Sequence, residues 1–156
     1  MSDQHVYSLL SRVGGLPVCH RLHYLQMHLE KLAKAALYQS SPAFEHIQHH
    51  NVVAKVLPQL VKAHARSVGD ARPGDAARLN ELRDICREID LLQPAVDDDG
   101  RRPDNCEYPW LNRRDGEEFV LSPVRAKFRV DERLRTPLGR LLLKVAAAVS
   151  QKLAVP

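Results

Sequence analysis

Long apolar runs are missing from this sequence. The longest near the C-terminus, Val145–Val149, falls far short of the roughly 20 residues that a bilayer-spanning helix needs, which excludes a helical membrane anchor there. Aromatic residues make up only 5% of the chain, with one tryptophan. Cysteine is scarce too: Cys19, Cys86 and Cys106 are widely separated and form no CxxC pair, so a disulfide framework is not expected and the thiols read as reduced. No Gly-rich phosphate loop, GxSxG elbow or HExxH occurs, so the reaction classes those motifs serve are not supported. The start, MSDQHVYSLLSRVGG, lacks a basic stretch followed by an apolar block, so no signal peptide is read and a cytoplasmic protein is expected.

What is present suits one globular domain spanning residues 1–156, with 44% hydrophobic and 27% charged residues. The net charge of +4 is spread unevenly. All eight histidines fall between His5 and His64, whereas Arg125, Lys127, Arg129, Arg133, Arg135, Arg140 and Lys144 make the C-terminal third locally basic.

Apolar periodicity predicts mainly helices. Leu22, Leu25, Leu29, Leu32 and Ala36 recur at 3-4-3-4 spacing over Val18–Tyr38, which lays one stripe along a helix. Ser41-Pro42 reads as a cap and first-turn proline opening a second helical tract, with a kink or break between His49 and Pro58 and with Asn51 as a cap for a fresh start. Leu79, Leu82, Cys86 and Ile89 mark a third helix from Ala76 to Leu92, after a turn at Gly69–Asp75. Thr136-Pro137 opens a last helix through Leu138, Leu141, Leu142, Val145, Val149 and Leu153. Residues 94–130 read as an insertion: a long polar loop, then a strand in which Val124, Ala126, Phe128 and Val130 alternate with Arg125, Lys127 and Arg129, paired in a short hairpin with Glu118–Ser122. The expected architecture is all-α, an antiparallel bundle of four to five helices with a long loop and a short hairpin before the last helix.

Four groups of residues offer chemistry. His20, His23 and His28, with His46, His49 and His50, have the spacing to share helix faces, which would suit a nitrogen-rich metal site between two helices; no matching pattern of acidic ligands accompanies them. Arg21 and His28 lie seven positions, or two helical turns, apart and project from one side of their helix. An arginine that holds phosphate beside a histidine that moves a proton is what metal-free RNA cleavage needs, with His50 as an alternative base. The tract Glu107-Tyr108-Pro109-Trp110 is followed by Arg113 and Arg114, which can pair phosphates while the aromatic rings anchor the loop. Finally, Arg125, Lys127 and Arg129 on one strand face would lie about 6.6 Å apart, near the spacing of successive phosphates on an extended single strand.

The run from His23 to Leu37, HYLQMHLEKLAKAAL, resembles the helix of HEPN domains that reads roughly H-x-Q-Q-A-A-E-K-x-x-K-A-L-L, with Glu30, Lys31, Lys34 and Ala35 matching its Glu-Lys-x-x-Lys-Ala core. His50-Asn51-Val52 sits where that family has an H-D/N-L turn, and Tyr108-Pro109 where it has an R-Y-P signature. The resemblance spans about residues 20–155. It implies an α-helical bundle, a homodimer, and a tie to RNA and nucleotides in defence or toxin–antitoxin biology, with a nucleotidyltransferase-like protein as partner. Glu107 replaces the arginine of R-Y-P, and no histidine follows His64 where catalytic members carry R-x4-6-H. Both departures mark a diverged member. The expectation is a binding or accessory protein for RNA or nucleotides, with Arg113, Arg114, Arg125, Lys127 and Arg129 on phosphate and no cofactor. A ribonuclease using Arg21, His28 and His50, and a His-rich metal-binding bundle, are the alternatives.

Overall fold

A computed structural model describes residues 2–40, 50–68, 75–93, 106–107, 109–114 and 117–153. The chain is predominantly helical: α1 (Asp3–Leu10), α2 (Val18–Ser40), α3 (Val53–Ser67), α4 (Ala76–Asp90), α5 (Arg129–Leu134) and α6 (Pro137–Leu153) surround one contiguous apolar cluster. The stripes of α2, α4 and α6 follow the sequence periodicity, and Leu22, Leu25, Leu29, Leu82, Ile85, Ile89 and Leu142 are almost fully buried. Among the described residues, no helix is long and apolar enough to cross a membrane.

Local chemistry accounts for the starts of α1, α4 and α6. Ser2 caps α1, its hydroxyl accepting from the His5 N–H at 3.3 Å, and Asp3 adds an acidic first turn. This helix was not expected, because it buries no residue and so leaves no apolar stripe. Gly15, at a φ of +81°, turns the chain from α1 into α2. Asp75 caps α4 by accepting from Ala77 N–H at 3.0 Å, and the Thr136 hydroxyl accepts from Gly139 N–H at 3.2 Å to open α6.

Helix α3 begins at Val53 after the non-helical residues 50–52, inside the span from His49 to Pro58 where a kink or break is expected. Pro58 does not break it: the helix runs through Pro58, which is buried, and forgoes only the bond to the Ala54 carbonyl. Asn51 is not the cap; the boundary residue is Val52, whose apolar side chain makes no capping bond, and Asn51 instead accepts from Lys55 Nζ at 3.2 Å. The expected helix over residues 41–49 and the turn at 69–74 lie outside the described residues.

The strand expected over 124–130 is absent. Pro123–Arg125 form a 3-10 turn, 126–128 connect, and α5 starts at Arg129. The apolar residues there do not share one face, since Val124 is 55% exposed while Val130 and Leu134 are buried one helical turn apart. Asp131 and Glu132 in the first turn also favour a helix. The hairpin expected from 118–122 with 124–130 is therefore replaced by an earlier one, β1 (Trp110–Arg114) against β2 (Glu117–Leu121), antiparallel with Trp110 opposite Leu121 and Arg114 opposite Glu117. Residues 94–105 of the expected loop lie outside the described residues.

The α5–α6 corner is very tight. A Cβ added to Gly139 would collide with the Arg133 carbonyl and the Leu134 backbone. Gly139→Ala is expected to destabilise the protein by about 1–3 kcal/mol. Gly14→Ala, where a Cβ meets nothing, should be near neutral, and denaturant midpoints of the two variants give the comparison.

Candidate functional site

Gln26, Glu30 and Lys34 stand one helical turn apart along the edge of the α2 stripe. The register turns Gln26 and Glu30 inward, where they are 1% and 8% exposed. Gln26 Nε2 and Lys34 Nζ each donate to the Glu30 carboxylate at 2.6 Å, and His50 Nδ1 lies 3.0 Å from the same group. Gln93 Nε2 stands 3.4 Å from the His50 ring nitrogen. Beside this cluster, Asp90 ends α4 at 2% exposure and accepts from Val53 and Ala54 N–H at 3.0 and 2.9 Å. The cap that α3 lacks locally is thus supplied from α4, which makes the two helices antiparallel.

The two buried carboxylates titrate in opposite directions. Burial alone would raise Glu30, but hydrogen bonds from Lys34 and Gln26, with the charges of Lys34 and His50, outweigh it and hold the carboxyl below its ordinary range. Burial pushes Asp90 up to about 6, against its two backbone hydrogen bonds and with the Glu30 charge adding to the rise. One group is a fixed anion and its neighbour gains or loses a proton near neutrality. His50, held by a carboxylate and 36% exposed, has the arrangement of an oriented acid–base group.

Arg21 and His28 share a side of α2 but meet different neighbours. Arg21 ion-pairs with Asp131 of α5, which also holds Arg135 at 2.8 Å. His28 Nε2 lies 3.4 Å from the Ser150 hydroxyl of α6, and burial lowers its pKa, opposed by Asp3 and aided by Lys31. The structure does not bring this pair onto one feature. Of the residues carrying the family resemblance, Lys34 is held by Glu30 and Lys31 by Asp3 of α1 at 2.7 Å. Both lysines serve the fold.

Of the other described histidines, His20 and His23 line a common cavity, while His5 lies on α1 and His64 on α3. His23 Nδ1 lies 3.3 Å from Glu107 at the edge of a cavity of about 490 Å³, whose walls include Cys19 and Cys106. Burial raises the pKa of both thiols, Cys106 up to about 12, so they stay protonated and weakly nucleophilic at neutral pH. Cys86 is a buried core residue with its thiol shifted up likewise. Among the described residues, no group of three or more His, Cys, Asp or Glu side chains is placed to hold a metal ion; His46 and His49 lie outside them.

The basic residues separate into engaged and free ones. Arg133 is held by Glu88 at 2.8 Å, and Arg129, at the first position of α5, lies 3.6 Å from the same carboxylate. Arg125 in the 3-10 turn and Lys127 just after it are exposed and take part in no ion pair among the described residues. They do not form the strand face expected for them. Arg113 and Arg114 belong to β1, and their side chains lie outside the described residues. The sequence reading missed Asp90 and Gln26, although a carboxylate one turn beyond the buried Cys86 was a signal for the first. Comparison of the chain with family models, curated proteins and solved structures finds no match.

The pH dependence of folding isolates Asp90. Its carboxyl has an ordinary value of 3.8 and rises to about 6 on folding, so its stabilising contribution is full below about pH 4 and is lost as pH rises through 6. Glu30 and His28, both lowered, act in the opposite sense, losing their contributions as pH falls, and these cancel when two chains sharing them are compared. Asp90→Asn retains an acceptor for the α3 amides but cannot ionise. Its stability relative to the parent should increase as pH rises from about 4 to about 7, and a pH-independent difference in denaturant midpoints would refute the assignment.

Proposed function

We propose that this chain is an RNA- or nucleotide-associated binding and accessory protein, a diverged HEPN-like bundle that works as a homodimer. The observation that carries the reading is the pair of exposed, unneutralised cations Arg125 and Lys127, which follow directly on the β1–β2 hairpin bearing Arg113 and Arg114. A guanidinium or ammonium with no carboxylate partner is available to displace counterions from a phosphate backbone. Arg21, Arg129 and Arg133 have carboxylates of their own and contribute less.

Binding of a short single-stranded RNA should weaken linearly with the logarithm of salt concentration. Replacing Arg125 and Lys127 together by alanine should make that slope shallower by about 1.4, two phosphate contacts at roughly 0.7 each. An unchanged slope, or no affinity at low ionic strength, removes this surface from the reading.

His50 favours a second reading, metal-independent RNA cleavage, because Glu30 fixes its Nδ1 and leaves the opposite ring nitrogen for proton transfer. If that holds, the protein cleaves labelled RNA in the presence of chelator and His50→Ala reduces the rate by about 100-fold or more. Products that persist unchanged in the variant would come from another source.

A further inference from the structure

A concave groove of about 480 Å³ opens on the outer side of α3 and α4, with neither Arg125 nor Lys127 in its lining. Lys55 stands on its α3 wall, and Arg83 and Arg87 stand one helical turn apart on its α4 wall. Asn51 and Gln59 add side-chain amide donors. The carboxylate on the groove wall, Asp90, turns both its oxygens to the α3 backbone. Among the described residues, Arg83 is held by the neutral Asn80 amide at 3.0 Å, and Lys55 by Asn51, with Lys55 also feeling the Asp90 charge. Arg87 reaches Asp84 at 3.1 Å, but the two are 67% and 53% exposed, so water screens that pair and a stronger anion displaces it.

We infer that this groove is a binding site for a small, multiply charged phosphate compound, a diphosphate or a ligand carrying one. Three cations facing one concavity match the charge of a diphosphate rather than of a single carboxylate, and two guanidinium forks in a row offer the bidentate geometry that phosphate oxygens accept. The volume is in the range of small-molecule sites. Ala54 and Leu91 are its apolar lining, too little to seat the hydrophobic face of a helix or an extended peptide. The inference does not rest on the RNA reading, whose cations lie on the segment after β2.

The test is calorimetric titration of the full chain with inorganic pyrophosphate and with ADP at moderate ionic strength, with sulfate as a simple-anion comparison. Saturable binding of pyrophosphate at one site per chain, much tighter than sulfate, is expected. Arg83→Gln and Arg87→Gln should each weaken it roughly tenfold, and Arg125→Ala with Lys127→Ala should leave it unchanged. ADP binding much tighter than pyrophosphate identifies a nucleotide as the ligand class; equal binding identifies the diphosphate alone. Circular dichroism and denaturant midpoints check that the two α4 variants fold. Absence of saturable binding, sulfate binding as tight as pyrophosphate, or folded Arg83 and Arg87 variants that bind like the parent would overturn the site. Loss of RNA affinity in the Arg125/Lys127 variant with pyrophosphate binding intact separates the two surfaces.

Discussion

Helix α3 has a valine at its N-terminal boundary, so its first amides would be left without acceptors at the point where the chain enters the core. The Asp90 carboxylate resolves this by crossing from the end of α4 to bond Val53 and Ala54, and the rest of the bundle is arranged around that requirement. It fixes the α3–α4 register, brings a second carboxylate close to Glu30, and calls for the Lys34, Gln26 and His50 donors that keep Glu30 charged. Removing one partner from such a network leaves a buried group with its full desolvation cost, whereas the intact network contributes modestly. The polar knot specifies how three helices meet more than it strengthens their meeting.

The same geometry accounts for how much could be read from the chain. Helices α2, α4 and α6 are legible because their apolar residues recur at helical spacing and their starts or turns carry local signals. The start of α3 is legible near Asn51 but its cap is not, because the capping carboxylate comes from 37 residues away. Residues 124–130 mislead because alternation of apolar and basic side chains mimics a strand, while burial of Val130 and Leu134 one turn apart selects a helix. Arg21 and His28 do share a side of α2, as spacing indicates, but spacing carries no information on Asp131 or Ser150, the partners that set their roles. Glu30–Lys34 could be anticipated as a local pair; its burial against His50 could not.

Two kinds of positive charge emerge. Those held by carboxylates, Arg21, Arg129 and Arg133, tie α5 to α2 and α4. The loosely held or unpaired ones include those of the segment after β2 and of the outer α3–α4 groove, and also Arg140 and Lys144 on α6. A net charge of +4 thus understates how differently basic side chains are used in different parts of the molecule.

Helix α5 has a mechanical consequence. It is short, clamped by ion pairs at Asp131 and Arg133, and pressed so closely on α6 that only glycine fits at position 139. The segment bearing Arg125 and Lys127 is therefore tethered at its downstream end to a stiff post. A load applied there passes along the backbone into α5, where it is shared between the core side chains Phe128 and Val130 and the Arg21–Asp131 and Arg133–Glu88 pairs.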